Sequence, residues 1–216
     1  MAPRSALIVG ASGLVGAFLL ERLLASPAYA QVTAWGRREL VLSHPKLTAE
    51  VVDFARLFER RVQAADVFCC VGSTIRQAGS QAAFRRVDFD IPVALARAAA
   101  RDGAKRFLVI SALGANARSR VFYNRVKGEM EAAVRASGVP KVYVFRPSLL
   151  AGPRKEFRLG ERAGLAAASL LGPLLGKYRP VRAGAVAAAM LKAAEEDLPG
   201  GVYQPSNWGL SPISAN

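Results

Sequence analysis

The feature that most constrains the fold of this chain is a set of three glycines near its N-terminus. They lie in one short segment, which consists of Gly10, Ala11, Ser12, Gly13, Leu14, Val15 and Gly16. The segment follows an apolar run of strand length, residues 6–9, and precedes a stretch with helical periodicity. A strand that leads through a glycine-rich turn into a helix is typical of a doubly wound sheet, in which the turn and the helix N-terminus bind the pyrophosphate of a dinucleotide. The spacing G-x-x-G-x-x-G is one residue longer than the usual dehydrogenase pattern. It indicates dinucleotide binding because the segment stands between a predicted strand and a predicted helix.

Short apolar runs alternate with longer helical patterns along the rest of the chain. This alternation predicts right-handed βαβ units and a parallel sheet covered by helices on both faces. We therefore predict an α/β fold, a Rossmann-type doubly wound parallel sheet, in one domain (residues 1–216) with a small C-terminal helical lid at about residues 151–182. The predicted strands are residues 6–9, 32–35, 50–53, 66–71, 106–110, 142–145 and 201–203. The predicted helices are residues 13–25, 81–101 with a kink at Pro92, 121–136, 161–171 and 183–196.

The chain is strongly basic, with 30 Lys and Arg residues against 16 Asp and Glu residues and a formal net charge of +14. Such an excess is compatible with nucleic acid, an anionic membrane surface or a polyanionic ligand as a partner. The excess is mostly arginine in an alanine-rich chain, which a compositional bias also produces, and no five basic residues are consecutive. Because a helix-turn-helix signature and interleaved aromatic residues are missing as well, nucleic-acid binding is an alternative that the sequence does not favour.

Histidine and cysteine are too scarce for two common classes of site. His44 is the single histidine, which excludes a zinc cluster and disfavours a Ser-His-Asp triad. Cys69 and Cys70 are adjacent in an apolar run, where successive side chains point to opposite faces of a strand, so we expect buried, reduced thiols.

Glu21 and Arg22 interrupt the apolar N-terminal segment, and no other stretch reaches the roughly 20 residues that span a bilayer. We therefore expect no membrane span and a cytoplasmic location.

Two arginines at the end of the second predicted strand indicate which dinucleotide binds. An NAD site usually has a carboxylate here for the ribose 2′-hydroxyl, whereas a 2′-phosphate requires Arg. The strand ends with Trp35, Gly36, Arg37 and Arg38, so either guanidinium could bind the phosphate. We predict NADP(H) as the cofactor, with ordinary surface arginines as the alternative.

A second constellation consists of Ser111, Tyr123 and Lys127. Tyr123 and Lys127 lie four residues apart in a helical pattern and share a face, and Ser111 ends the fifth strand at the carboxyl edge of the sheet. A lysine cation near a phenol stabilises the phenolate, so Tyr123 can exchange a proton with a substrate oxygen that Ser111 also binds. This arrangement is suited to carbonyl reduction.

Several longer motifs resemble one family. They are Val71-Gly-Ser-Thr74, Phe84-Arg-Arg-Val-Asp88, Val109-Ile-Ser-Ala-Leu-Gly114, Tyr123-Asn-Arg-Val-Lys127-Gly-Glu129 and Val144-Phe-Arg-Pro-Ser148. With the glycine segment, they are similar to the atypical NAD(P)H-binding branch of the short-chain dehydrogenases/reductases, and within it to the Tat-interacting oxidoreductase-like proteins and their bacterial relatives. The resemblance covers about residues 5–195.

The resemblance implies further site residues. It places the pyrophosphate on Gly10 to Gly16. On the adenosine side, it places the 2′-phosphate on Arg37 and Arg38 and the adenine on Asp53 and Phe54. The riboses would lie along Cys70, Val71 and Gly72, and the carboxamide of the nicotinamide would lie against Pro147, Ser148 and Leu150. It makes Ser111, Tyr123 and Lys127 the active triad, with Lys127 also binding the nicotinamide ribose. The chain departs from the family at Asp88, where many relatives have Asn, and this puts a proton relay through that position in doubt.

These observations predict an NADPH-dependent oxidoreductase that reduces a small carbonyl compound. The alternative is a regulatory or redox-sensing protein that binds NADP(H) without turnover. Dimerisation through the helices at residues 81–101 and 121–136 is compatible with the family, although nothing in their sequence requires it.

Overall fold

The fold is built on a seven-stranded parallel sheet, seen in a computed structural model that describes residues 3–151 and 180–208. In chain order the strands are β1 (Arg4–Val9), β2 (Tyr29–Gly36), β3 (Leu47–Val51), β4 (Asp66–Cys69), β5 (Arg106–Ile110), β6 (Lys141–Phe145), β7 (Leu150–Ala151), β8 (Val181–Arg182) and β9 (Gly201–Tyr203). The order in the main sheet is β3-β2-β1-β4-β5-β6-β9, while β7 and β8 form a separate parallel pair. The order of the strands reverses between β1 and β4, as in a doubly wound sheet, which confirms the predicted fold class.

The described helices lie where the apolar periodicity places them, apart from a short additional helix at Ile75–Ala78 that the sequence analysis does not predict. They are α1 (Leu14–Ala25), α2 (Ile75–Ala78), α3 (Gln81–Arg85), α4 (Ile91–Arg101), α5 (Phe122–Arg135) and α6 (Ala183–Glu195). On α5, for example, the apolar residues Val126, Met130 and Val134 recur every four positions and are buried. The predicted helices at 13–25, 121–136 and 183–196 are confirmed to within one residue. The predicted helix at 161–171 and nearly all of the predicted lid lie outside the described residues.

The long predicted helix at 81–101 is interrupted, although not in the way that the sequence suggests. Between α3 and α4 lies a π-helical turn, Arg86–Asp90, in which the Ile91 N–H donates to the Arg86 carbonyl. Pro92 follows directly, at the start of α4. A proline has no N–H for the carbonyl four residues earlier and its ring crowds that carbonyl, which here belongs to Asp88. The wider turn accommodates this conflict and leaves the Asp88 side chain fully buried.

The predicted bounds are wrong for several strands: β1 and β2 begin two and three residues earlier than predicted, and the errors in the third and fourth strands extend to the edge that carries the site. The third strand is Leu47–Val51 and ends before Asp53, whereas the sequence places it at residues 50–53. Asp53 instead caps a 3₁₀ turn, Phe54–Glu59, where its carboxylate accepts from the Ala55 N–H at 2.9 Å. Local capping of this kind competes with strand extension, which explains the error. The fourth strand ends at Cys69, two residues earlier than predicted.

Each face of the sheet carries its own apolar core. Side chains of successive strand residues alternate between faces, so that Ile8 and Phe68 pack with α1 and α6. Leu7 and Val67 pack on the opposite face, against α4 and α5. With both faces covered, the carboxyl edge of the strands is where turns can present polar groups to a ligand.

The opposite edge of the sheet is held by a buried carboxylate, Asp66, at the start of β4. Its side chain is fully buried and accepts from the Tyr29 hydroxyl at 2.7 Å and from Arg106 at 2.8 Å, with Arg4 at 3.4 Å. Burial, and then the Asp66 charge, raise the pKa of Tyr29 well above its ordinary value, so the phenol stays a hydrogen-bond donor. Asp66 therefore neutralises charge and satisfies donors contributed by three strands.

Replacing Asp66 by Ala is expected to lower the free energy of unfolding by about 3–5 kcal/mol, because it leaves the buried Tyr29 phenol without its acceptor and two partly buried arginines without this counter-charge. Urea denaturation followed by circular dichroism measures this loss. As a control, Glu59→Ala removes the exposed Arg56–Glu59 pair and should leave the stability unchanged. Equal effects of the two substitutions would contradict this account of Asp66.

Candidate functional site

The glycine segment forms the tight turn that the sequence predicts between β1 and α1. Gly10 has a φ of +90°, and a Cβ there would lie 2.9 Å from the Cys70 carbonyl carbon and oxygen. A Cβ at Gly16 would lie 2.1 Å from the Gly10 carbonyl oxygen, so only glycine lets the helix approach the turn. The N-cap residue Gly13 offers no side chain to the first N–H groups of α1, whose first turn contains no acidic residue. The turn thus presents backbone donors to an anion, and it fits the pyrophosphate of a dinucleotide.

A cavity of about 550 Å³ lies on one side of this turn, at the carboxyl edge of β1, β4, β5 and β6. It is lined by residues that the sequence and the family resemblance single out separately. These are Gly13, Leu14, Val15, Cys70, Val71, Gly72, Ser111, Tyr123, Lys127, Pro147, Ser148 and Leu150. The structure therefore brings the proposed active triad and most of the proposed cofactor-binding residues to one cavity.

A smaller cavity of about 250 Å³ lies on the other side of the turn, beside the ends of β2 and β3. Ala11, Ser12 and Arg38 line it, whereas Arg37 is exposed and is not among its lining residues. Two carboxylates, Glu39 and Glu50, also line it, and the sequence argument overlooked them. The Glu50 carboxylate is paired with Arg60, whose guanidinium lies 5.3 Å from the centroid of the Trp35 ring.

Asp53 and Phe54, which the resemblance assigns to the adenine, follow β3 at the same edge but do not line either of these two cavities. The Asp53 carboxylate is the cap described above, and Phe54 is partly buried against the core on the α4 side. The geometry gives these two residues a structural task, and their adenine contact remains a prediction.

Tyr123 and Lys127 share one face of α5, one turn apart. The Tyr123 ring packs on the Phe84 ring of α3 with the centroids 5.2 Å apart, which fixes the plane of the phenol. The Lys127 Nζ lies 2.7 Å from the Asp88 carboxylate, and both side chains are buried. Burial alone would lower the pKa of Lys127, but the Asp88 charge, followed by Tyr123, more than offsets this and raises it, so the ammonium stays charged.

Ser111 belongs to a second buried polar cluster, which the sequence argument missed. Its hydroxyl donates to Glu131 at 2.5 Å. The same carboxylate accepts from Arg146 at 2.9 Å through Nε and at 2.6 Å through Nη2. Because the Ser111 hydroxyl donates to this carboxylate, the Ser111 proton is directed away from the cavity. Glu131 lies four residues after Lys127, and that helical spacing was the available signal.

The two cysteines at this edge are poor nucleophiles, because burial keeps their thiols protonated. Both cysteines are free thiols, as the sequence predicts, and burial raises the pKa of Cys69 to about 12. The pKa of Cys70 is raised by burial as well. Within residues 3–151 and 180–208, no group of three His, Cys, Asp or Glu side chains could hold a metal ion.

A doubly wound parallel sheet with a glycine turn between two cavities at its carboxyl edge defines a dinucleotide-binding α/β protein. Residues 10–197 match the model of the NAD(P)H-binding family, and the chain belongs to this family. Protein HTATIP2 of Rattus norvegicus is 40% identical over 167 residues, which are 74% of this chain and 69% of that protein. The predicted resemblance to the Tat-interacting oxidoreductase-like proteins is thereby confirmed.

Two further comparisons bear on fold and location. The protein "fmp52, mitochondrial" of Emericella nidulans is 33% identical over 174 residues, 76% of this chain and 75% of that protein. The structure of Bordetella bronchiseptica WbmG in complex with NAD has a TM-score of 0.70 and 18% identity, and the match covers 94% of this chain and 72% of that chain. This last likeness shows the fold.

The prediction of a cytoplasmic location is wrong. Fungal relatives, in Emericella nidulans and in Candida albicans, are named mitochondrial. The prediction depended on the lack of an apolar leader or span, which does not determine the compartment. Among the residues that the structure describes, no helix is both long and apolar enough to cross a membrane.

Replacing Gly16 by Ala is expected to raise the Kd for ADP, a probe of the pyrophosphate site, by about tenfold or more. The added Cβ meets the Gly10 carbonyl at 2.1 Å, so α1 has to move away from the turn whose N–H groups are predicted to bind the anion. Isothermal titration calorimetry measures the affinity. Gly184→Ala is the matched control, since its Cβ would meet only the Phe18 ring at 3.8 Å, an ordinary contact. An ADP affinity of Gly16→Ala equal to that of the control would contradict the assignment of the glycine turn as the pyrophosphate-binding site.

Proposed function

We propose that this protein is an NADPH-dependent oxidoreductase that reduces a small carbonyl compound through Ser111, Tyr123 and Lys127. The single observation that carries the proposal is the 550 Å³ cavity, which joins the start of α1 to all three side chains. Its position at the carboxyl edge, beside the strand-order reversal, is where doubly wound sheets bind nucleotide and substrate together. That WbmG has been solved with NAD supports a dinucleotide in a fold of this kind.

The chemistry divides between the cofactor and the chain. The nicotinamide cofactor, when bound, supplies a hydride for the carbonyl carbon. Tyr123 supplies the proton for the carbonyl oxygen, so that the product is an alcohol and the phenol is restored from solvent. The Lys127 cation stabilises the phenolate that this transfer leaves. The Ser111 hydroxyl donates to Glu131, so its oxygen acts as an acceptor, which binds the hydroxyl of the alcohol product and not the carbonyl oxygen of the substrate.

A preference for NADP(H) follows from Arg38, which lines the smaller cavity together with Ser12. A guanidinium can bind a 2′-phosphate with two parallel hydrogen bonds, and a serine hydroxyl can add a third. The charge of Glu50 is neutralised by Arg60 and does not oppose the phosphate. Glu39 is the remaining carboxylate in the lining, and its repulsion of a 2′-phosphate opposes the attraction of Arg38.

Replacing Arg38 by Ala is expected to raise the Kd for NADPH by about tenfold or more while the Kd for NADH changes by less than about twofold, because only the 2′-phosphate contact is removed. Fluorescence titration with each nucleotide measures both constants. Arg37→Ala, the comparison variant, should have the smaller effect because Arg37 lies outside the lining. NADH binding as tight as NADPH in the unchanged protein would contradict the preference, and would be the sign of Glu39 acting on the ribose hydroxyls.

Replacing Tyr123 by Phe is expected to lower kcat by about 100-fold or more, since the acid is removed, with the NADPH affinity unchanged. A panel of aldehydes, ketones and quinones supplies the substrate, and NADPH oxidation is followed by its absorbance. Tyr143→Phe is the matched control, because that phenol donates to the Leu198 carbonyl at the other edge of the sheet. If Tyr123→Phe turns over as fast as the control, the mechanism is wrong. If the unchanged protein binds NADPH but reduces no member of the panel, the non-catalytic alternative is favoured.

A further inference from the structure

A buried polar cluster lies behind the wall of the large cavity, at the point where β5 and β6 end. It consists of Ser111, Glu131 and Arg146, and of these three only Ser111 lines the cavity. The Ser111 N–H donates to the Phe145 carbonyl at 2.7 Å, and the Arg146 N–H donates to the Tyr203 carbonyl at 2.8 Å. These bonds continue the sheet beyond its strands, so the backbone of both residues is fixed beside Glu131 of α5.

Glu131 determines the direction of the hydrogen bonds in this cluster. Its Oε1 accepts from the Ser111 hydroxyl at 2.5 Å and from Arg146 Nε at 2.9 Å, and its Oε2 accepts from Arg146 Nη2 at 2.6 Å. A guanidinium can only donate, and a carboxylate paired with one only accepts. The Ser111 hydroxyl therefore has to donate to Glu131, and this bond uses its single proton.

A serine whose proton is used in this way offers a ligand only its lone pairs. A serine hydroxyl has one donor and two acceptor sites, so Ser111 can still accept one hydrogen bond from the cavity. The hydroxyl of an alcohol can donate that bond. The oxygen of a carbonyl compound has no proton and meets an acceptor in Ser111. The cluster thus distinguishes an alcohol from the carbonyl compound that differs from it by two hydrogens.

We propose that Glu131, held by Arg146, is a positioning residue that makes Ser111 a hydrogen-bond acceptor, and that the large cavity therefore binds an alcohol in preference to the corresponding carbonyl compound. Such a difference in affinity shifts the equilibrium between the two bound ligands toward the alcohol. The kind of ligand rests on the proposed function, whereas the coupling of Glu131 to Ser111 does not.

Replacing Glu131 by Gln should reverse the direction of the Ser111 bond. The Arg135 Nη2 lies 3.8 Å from Oε2 of Glu131, on the side where Arg146 Nη2 also donates. Two guanidinium groups on that side favour the oxygen of a glutamine there, which turns its amide nitrogen toward Ser111. The amide then donates to the Ser111 oxygen, and the Ser111 proton becomes available to a ligand.

The first test compares an alcohol with its ketone. Calorimetry measures the Kd values in complexes that cannot react, namely cyclohexanol with NADPH and cyclohexanone with NADP⁺. Glu131→Gln should raise the Kd for cyclohexanol by about tenfold and lower that for cyclohexanone by about threefold or more, because one hydrogen bond is lost and another gained. General damage to the site would weaken both. Parallel changes for the two ligands, or no change, overturn the proposal.

Glu129→Gln is the matched control for this test. The substitution removes the same charge from the same helix, but the Glu129 carboxylate pairs with Arg85 and is not among the residues that line the cavity. It should change both Kd values by less than about twofold, the effect expected when no bond to the ligand changes. A reversal of preference in Glu129→Gln equal to that in Glu131→Gln would contradict the role of Glu131.

A double variant, Glu131→Met/Arg146→Met, protects the test against a misfolded Glu131→Gln. Replacing both members of a buried ion pair leaves neither charge unpaired, and such replacements are often tolerated. Ser111 then has no carboxylate to donate to, so its proton is free for the ketone. Cyclohexanone should bind about threefold more tightly or better than in the unchanged protein, the gain of one hydrogen bond. Unchanged or weaker binding of cyclohexanone contradicts the proposal.

The last test needs no ligand. Ser111→Ala should lower the free energy of unfolding by more in the unchanged protein than in Glu131→Met/Arg146→Met, because the bond that it removes is already missing from the double variant. Urea denaturation followed by circular dichroism measures both losses. Equal losses overturn the coupling of Ser111 to Glu131. If the unchanged protein fails to bind NADPH, the proposed function fails, and this comparison still decides whether Glu131 holds the Ser111 proton.

Discussion

A parallel sheet has to bury both of its faces, and the rest of this structure depends on that constraint. Strand residues such as Ile8 and Leu7 enter opposite apolar cores, so the strands themselves have no room for ligand-binding polar groups. The polar groups that can bind a ligand or pair with one another therefore lie at the ends of the strands. The carboxyl end carries the glycine turn and the two cavities, and the amino end carries the Asp66 cluster that closes the sheet. In the part of the chain that the structure describes, the buried charged residues Asp66, Asp88, Lys127 and Glu131 are each paired with an opposite charge, because an unpaired one would be too costly.

The parts of this structure that could be predicted from the sequence are those determined by short-range periodicity. The βαβ alternation, the glycine turn and the shared face of Tyr123 and Lys127 each arise within a few residues, so their spacing is sufficient evidence. The failures involve competition or distance. Asp53 has two local options, strand or cap, that a pattern does not separate. The contact of Ser111 with Glu131, or of Asp88 with Lys127, joins residues 20 or more positions apart. The helical spacing places Glu131 on the face of Lys127 but does not reveal its partner Ser111.

Ion pairs explain part of the arginine content, although not the net charge of +14, which is the excess that remains after every carboxylate is paired. Arg4 and Arg106 neutralise Asp66, and Arg146 neutralises Glu131, each within or beside the core. These arginines act inside the molecule, where a planar guanidinium can bind a carboxylate with two hydrogen bonds. Composition alone cannot distinguish such arginines from a surface that attracts a polyanion. Arg38, at the smaller cavity, is an arginine for which a ligand is proposed instead.

The π-helical turn at Arg86–Asp90 makes the length of its segment as important as its composition. Successive residues of an α-helix are about 100° apart around its axis, so removal of one residue here would turn α3 by that angle relative to α4 and carry Asp88 away from Lys127. The exposed Asp90 can be exchanged without this consequence. An insertion or deletion at this point would therefore disrupt the site more than a substitution of an exposed residue, because the contact of Asp88 with Lys127 depends on the register of the helix as well as on the residue.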